Sequence, residues 1–226
     1  AQELQDRILG TGVKIFMSQN AKEMNVKDGE LEEDTEQEYH LKEVSVEDLL
    51  PRDEIRVDMK SMEELLKGTR VLITGSAGSI GSEIVRQVAT FKPEKMMLID
   101  MAETPEHDLR LMMANEFPDV DAETIVTSIT NKDRMEAIFK EFKPDYVFHA
   151  ASNTHPRQYS EDPIGTVLTN MIGLNNMLQY AADHGCERFV FASSVEVYGE
   201  NRGDERYFDE SYCGYIDCNT LRAGYP

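Results

Sequence analysis

At 226 residues, with 43 acidic against 23 basic side chains and a formal net charge of −20, the chain can hold one well-buried domain and a partial second unit. The charge argues against a nucleic-acid partner, which needs a basic face, but admits a small anionic nucleotide held by local amides and one or two arginines. Cys186, Cys213 and Cys218 are irregularly spaced and form no disulfide or metal pattern, so a reducing cytoplasm and no bound metal are expected; no run is apolar enough to insert in a membrane, and no signal peptide is legible.

Residues 1–50 do not read as a self-sufficient domain and are expected to be the tail of a preceding domain or an extension. Leu4–Leu9 suits a helix and Gly12–Met17 a short strand. The acidic run Asp28–Glu38 reads as a solvated loop, with a docking site for a basic partner as the alternative. Leu41–Val46 reads as a second strand, and Val46–Arg52 as a helical turn stopped by Pro51. Residues 51–69 are read as linker and helix, the helix opening at Ser61-Met62-Glu63-Glu64 with Ser61 as its cap.

From Arg70 onward strands and helices alternate, the pattern of a parallel sheet with crossover helices. Expected strands are Val71–Thr74, Lys95–Asp100, Thr124–Thr127, Asp145–Ala150 and Arg188–Ala192; expected helices are Ser79–Thr90, Thr104–Asn115, Lys132–Phe142 and Ile164–His184. The last has apolar residues at helical spacing on two sides and is expected to be well buried. The fold class is therefore α/β, a doubly wound parallel sheet over residues 70–226 that binds its ligand at the carboxyl ends of the strands.

The first strand runs into Gly75-Ser76-Ala77-Gly78-Ser79-Ile80-Gly81. Gly75 allows a tight turn, Gly78 lets phosphates approach the backbone, and Gly81 lets the helix pack on the strand. The helix that follows offers free N–H groups and a positive dipole end to a pyrophosphate. Asp100, ending the second strand, stands where a carboxylate accepts hydrogen bonds from the adenosine ribose. It would repel a 2′-phosphate, and no arginine follows it, so NAD is favoured over NADP; an Asp that caps the next helix is the plainer alternative. After the fourth strand, Ala150, Ala151 and Ser152 are small enough to let backbone approach the cofactor, whereas His149 reads as a structural strand-end histidine. After the fifth, Ser193, Ser194 and Glu196 are placed either to polarise a sugar hydroxyl and assist proton transfer or to form a polar loop.

Together these segments resemble the extended short-chain dehydrogenase/reductase family, the NAD-dependent nucleotide-sugar epimerases, dehydratases and decarboxylases. Thr74–Gly81 matches its T-G-x-x-G-x-x-G fingerprint, His149-Ala150-Ala151 its H-x-A-A turn, and Thr169-Asn170-Met171-Ile172-Gly173 its T-N-x-x-G helix segment. Ser194–Gly199 is similar to the family's S/T-x-x-V-Y-G. The resemblance implies that Gly75–Gly81, Asp100, Ala150, Ala151, Ser152 and Asn170 bind NAD and that Ser194 is catalytic. The family's base is the Tyr of Y-x-x-x-K. Tyr198, Tyr212 and Tyr215 lack a Lys four residues on, which leaves Tyr225, and the chain stops at Pro226 before the Lys position. The expectation is a truncated form of a longer protein, lacking the C-terminal substrate-binding part and paired as a homodimer when complete.

Sugar 4,6-dehydratases carry Asp-Glu after the catalytic Thr, whereas Val195-Glu196 stands here. UDP-glucuronate decarboxylases, with T-S-E-V-Y-G, E-S-Y-W-G and R-x-x-Y, are more similar to Ser194–Gly199, Glu210–Gly214 and Arg222–Tyr225. The run His155–Tyr159 resembles their sugar-side loop, which implies substrate contacts for His155, Arg157 and Arg222. Val44–Arg52 instead resembles the linker of CapD-type polysaccharide-biosynthesis dehydratases, although that group's Ser-Thr-Asp-Lys signature is absent. The resemblance implies a nucleotide-diphosphate sugar processed through a transient 4-keto sugar, with Tyr225, Ser194 and Glu196 as the reacting groups. The alternative is a non-catalytic NAD-binding or scaffold module, since the chain lacks the Lys of Y-x-x-x-K.

Overall fold

The computed structural model describes residues 16–18, 41–43, 57–204 and 206–225, without the side chains of residues 16–18 and 41–43 and of Pro156, Leu221 and Arg222. The expected helix Leu4–Leu9, the acidic run Asp28–Glu38 and the turn Val46–Arg52 lie outside the described residues. The chain divides into two units between Val57 and Asp58. In the first, β1 (Phe16–Ser18) pairs antiparallel with β2 (Leu41–Glu43), Phe16 opposite Glu43.

The second unit begins with α1 (Met59–Leu66). Its cap is Asp58 rather than Ser61, so the helix starts three residues earlier than expected. The Asp58 carboxylate accepts the amides of Lys60 at 3.1 Å and Ser61 at 3.3 Å, and Ser61 Oγ donates to it at 2.6 Å. A carboxylate answers the open amides and the dipole of a helix start better than a hydroxyl does, and Ser61 serves it as a donor.

Five strands follow: β3 (Arg70–Thr74), β4 (Lys95–Asp100), β5 (Ala122–Val126), β6 (Tyr146–His149) and β7 (Arg188–Phe191). They form one all-parallel sheet in the order β5-β4-β3-β6-β7, the doubly wound arrangement expected. Side chains alternate between its faces. Val71 and Ile73 of β3, with Met96 and Leu98 of β4, pack against Leu66 of α1, Val85 and Val88 of α2 (Ser79–Thr90), and Leu109 and Met113 of α3 (Glu103–Glu116). Leu72, Met97, Ile99 and Val147 face the other way, onto Met135, Ile138 and Phe139 of α4 (Lys132–Phe142) and onto Met177 and Tyr180. Val71, Leu72 and Ile73 are fully buried, and each is worth roughly 1.5–3 kcal/mol in removed apolar surface.

The segment expected as one buried helix over Ile164–His184 differs in two ways. It is built as α6 (Pro163–Val167), a π-helical turn (Leu168–Gly173) and α7 (Leu174–Asp183), preceded by a short α5 (Pro156–Glu161) where a loop was expected. Only one of its apolar sides is covered. Met177, Tyr180 and Ala181 pack on the sheet, whereas Ile164 is 73 % and Met171 62 % exposed. The sheet offers one face to a helix lying on it, so a second apolar stripe stays outside. β7 is an edge strand, and its Val190 and Phe191 are also exposed.

Candidate active site

In an open α/β sheet the ligand crevice lies where neighbouring strands send their connections to opposite faces, here between β3 and β6. The turn after β3 is tied down from β4: the Gly75 and Ser76 amides donate to the Ile99 carbonyl at 2.8 and 3.3 Å. Gly75 has φ +66°, and a Cβ there would lie 2.6 Å from the Ala151 amide nitrogen. A Cβ on Gly81 would collide with the Gly75 carbonyl oxygen. The two glycines thus let the turn press against both the β6 loop and α2. α2 begins after Gly78 with no side-chain cap among the described residues, which leaves its first-turn amides open to a ligand.

A cleft of about 250 Å³ opens beside this turn, lined by Gly75, Gly78, Asp100, Ala150, Ala151 and Ser152. The Asp100 carboxylate accepts the Ala77 amide at 3.1 Å on one oxygen and the Ala102 amide at 2.9 Å on the other. Two amides occupy half of a carboxylate's acceptor sites, and the rest stay available to ribose hydroxyls. Ser76 differs from its neighbours: it is fully buried, and its hydroxyl donates at 3.0 Å to Glu106 of α3 rather than facing the cleft. His149 is 1 % exposed, with Nδ1 2.7 Å from Thr74 Oγ1, and burial holds it down at about 4. It is a neutral, structural pair with Thr74.

Asn170 lies in the π-helical turn, a distortion often found at functional sites. Its Oδ1 accepts Ser152 Oγ and the Asn153 amide, both at 3.0 Å, and its Nδ2 donates to the Gly224 carbonyl at 3.2 Å. The side chain therefore couples the cleft wall to the residue preceding Tyr225. The Tyr225 ring is half-buried and stacks on Tyr159 at 6.1 Å between centroids.

Ser194 and Glu196 lie at the carboxyl end of β7. Ser194 Oγ accepts the Glu196 amide at 3.3 Å and caps the 3-10 turn Val195–Tyr198. Glu196 lines a second hollow, of about 450 Å³, with Tyr215, Asp217 and Ala223. His155 and Arg157 are exposed and engaged locally: His155 Nδ1 accepts the Arg157 amide at 3.2 Å, and Arg157 Nε donates to Glu161 at 2.7 Å. The Arg222 side chain lies outside the described residues. Met101, Ala102, Thr127, Ser128 and Ile129 also line the first cleft, none of them part of a motif in the sequence, together with Thr169, the first residue of the T-N-x-x-G match. Thr127–Ile129 follow β5 at the ligand edge, a position the strand order alone would have indicated.

The fold and the glycine turn define a doubly wound α/β domain of the Rossmann type. Residues 71–198 match the family described as "Polysaccharide biosynthesis protein". The chain belongs to it, within the extended short-chain dehydrogenase/reductases that include the nucleotide-sugar epimerases and dehydratases. It is 33 % identical over 184 residues to the capsular polysaccharide biosynthesis protein CapD of Staphylococcus aureus, covering 81 % of this chain and 30 % of that one. It is 30 % identical over 159 residues to UDP-glucuronic acid decarboxylase 2 of Arabidopsis thaliana, covering 70 % and 33 %. Among solved structures, the UDP-glucose 4-epimerase of Thermus thermophilus in complex with NAD aligns with a TM-score of 0.54 at 30 % identity, covering 64 % of this chain and 43 % of that one. The chain thus spans about a third of the length of these curated relatives. Among the described residues no helix is long and apolar enough to cross a membrane.

Proposed function

We propose that this chain is the cofactor-binding part of an NAD-dependent enzyme that modifies a nucleotide-diphosphate sugar through a transient 4-keto sugar, in polysaccharide or nucleotide-sugar biosynthesis. One observation carries the reading: an uncapped helix start, a glycine turn with no room for a side chain, and the Asp100 carboxylate all border one cleft. The NAD held by the Thermus epimerase and the sugar chemistry named for the decarboxylase support it.

The first-turn amides of α2 hold the pyrophosphate, and Asp100 accepts from the adenosine ribose while repelling a 2′-phosphate. Bound NAD supplies a hydride acceptor for the sugar's C4 and a donor when the cycle closes. Tyr225 removes the C4 hydroxyl proton, and Ser194 hydrogen-bonds the same oxygen. The 4-keto group then acidifies C5–H or permits loss of a C5 carboxylate as carbon dioxide, with Glu196 acting on that side of the ring. Asn170 keeps Tyr225 in register with the cleft through Gly224.

The test is to incubate the full-length protein and NAD with UDP-glucuronate, UDP-N-acetylglucosamine and UDP-galactose and to read product masses. Loss of carbon dioxide, loss of water and an unchanged mass with altered configuration separate the three reactions. Tyr225→Phe should abolish turnover and leave NAD binding intact; retained turnover would sink the assignment. NAD binding without turnover on any of the three sugars would favour a binding module.

A further inference from the structure

Glu106 occupies a place that is costly for a carboxyl group. It lies in the first turn of α3 and is 1 % exposed. Its Oε2 accepts the Ser76 hydroxyl at 3.0 Å, whereas Oε1 has no hydrogen-bond partner among the described residues. Ser76 sits between Gly75 and Ala77, so a single hydroxyl separates this carboxyl from the glycine turn. Ionised, Glu106 would hold a buried anionic oxygen with no donor; protonated, it leaves only a hydroxyl without an acceptor, a far smaller loss. The surrounding charges favour the proton. Asp100, at the end of β4, is the charged group that acts on it most directly, and it is negative. On its own helix, Glu103, His107 and Arg110 border the hollow beside it, and Arg110 is 2.9 Å from His107 Nδ1. β5 contributes Thr124 and Val126, and the glycine turn contributes Ser76, all uncharged.

Resting on the NAD reading above, we propose that Glu106 is a positioning residue that braces the glycine turn from behind in its protonated form, and that NAD binding at the turn takes up a proton at Glu106. A pyrophosphate on the far side of Ser76 adds negative charge and strengthens the hold on that proton. By linkage, NAD then binds more tightly as pH falls. Burial pushes the carboxyl up to about 7 despite the Ser76 hydroxyl's opposite pull, with Asp100 adding to the rise, so the window opens just above neutrality.

The experiment is calorimetric titration of NAD into this chain at pH 7.5, in buffers of different ionisation enthalpy. The wild type should take up a substantial fraction of one proton per NAD. Glu106→Gln, which keeps the shape and an acceptor for Ser76, should take up almost none, and His107→Gln should behave as wild type. From pH 6 to 9 the wild-type Kd should weaken, by up to about tenfold for each unit by which binding raises the carboxyl's proton affinity, while that of Glu106→Gln stays flat. Uptake that survives Glu106→Gln, uptake lost in His107→Gln, or a pH-independent wild-type Kd overturns the proposal. The infrared band of a protonated carboxyl reads the same event without any variant: NAD should strengthen it at pH 7.5, and an unchanged band counts against the proposal. Binding without proton uptake sinks this inference alone, whereas no binding at any pH sinks the NAD reading with it.

Discussion

Replacing Glu106 by Gln should stabilise the folded chain in a strongly pH-dependent way, with no ligand present. The carboxyl ordinarily titrates at 4.5, and burial raises it to about 7. Below pH 4.5 it is protonated whether the chain is folded or unfolded. Between 4.5 and 7 the unfolded chain releases the proton while the folded chain keeps it, so stability falls as pH rises and levels off above the folded value. That gap corresponds to about 3 kcal/mol. The side chain is 1 % exposed, so solvent screening does little to reduce the figure. Gln is nearly isosteric, still accepts from Ser76 and cannot ionise. Urea unfolding should therefore place Glu106→Gln within about 0.5 kcal/mol of wild type at pH 4.5 and about 3 kcal/mol above it at pH 8.5. For a domain of this size the gain at pH 8.5 is about 6–12 °C in Tm. The same stability difference at both pH values would refute the reasoning, because it would mean that ionisation of Glu106 is not what burial penalises.

Two further substitutions probe the site. Gly81→Ala puts a Cβ into the Gly75–Ser76 backbone, where the nearest atoms are all main chain rather than a flexible side chain; it should cost about 1–3 kcal/mol in chemical denaturation and abolish NAD binding by titration. Gly185→Ala, with nothing among the described residues within 4 Å but φ +74°, should cost only the left-handed strain of about 1–2 kcal/mol and leave NAD binding unchanged. His149, held by burial at about 4 against an ordinary 6.5, works in the opposite direction to Glu106. As pH falls from 6.5 toward 4 the unfolded chain gains a proton that the folded chain refuses, a loss of about 3 kcal/mol. His149→Gln should be less stable at pH 7, having lost ring contacts with Phe189 and Phe191, yet should show a flatter acid limb in urea midpoints between pH 4 and 7.5; an unchanged slope would refute this.

The glycine turn was legible because its signal is local: three glycines at fixed spacing between a β-branched run and an amphipathic helix. Asp100 was legible for the same reason, as the polar residue ending an apolar strand. The cap of α1 was misplaced because Asp58 and Ser61 are both good cap residues, and only the hydrogen bonds show which accepts and which donates. Glu106 left a trace: it stands three residues before Leu109 and seven before Met113, on the same helical stripe. A carboxylate at that spacing reads as a residue turned to solvent, and only the packing of α3 on β4 buries it beneath the turn.

By itself the sequence determined the strands, the turn and the order in which they occur, since short continuous apolar runs, the 3.6-residue helical period and glycine spacing are properties of neighbouring residues. The tertiary structure alone decided which distant groups meet. Thr74 and His149 pair across 75 positions, and Asn170 joins Ser152 to Gly224 across 18 positions one way and 54 the other. It also decided which of two apolar helix stripes the sheet covers. Hydrogen bonds and burial of this kind depend on how strands are laid side by side, and that lateral order leaves no periodic mark along the chain.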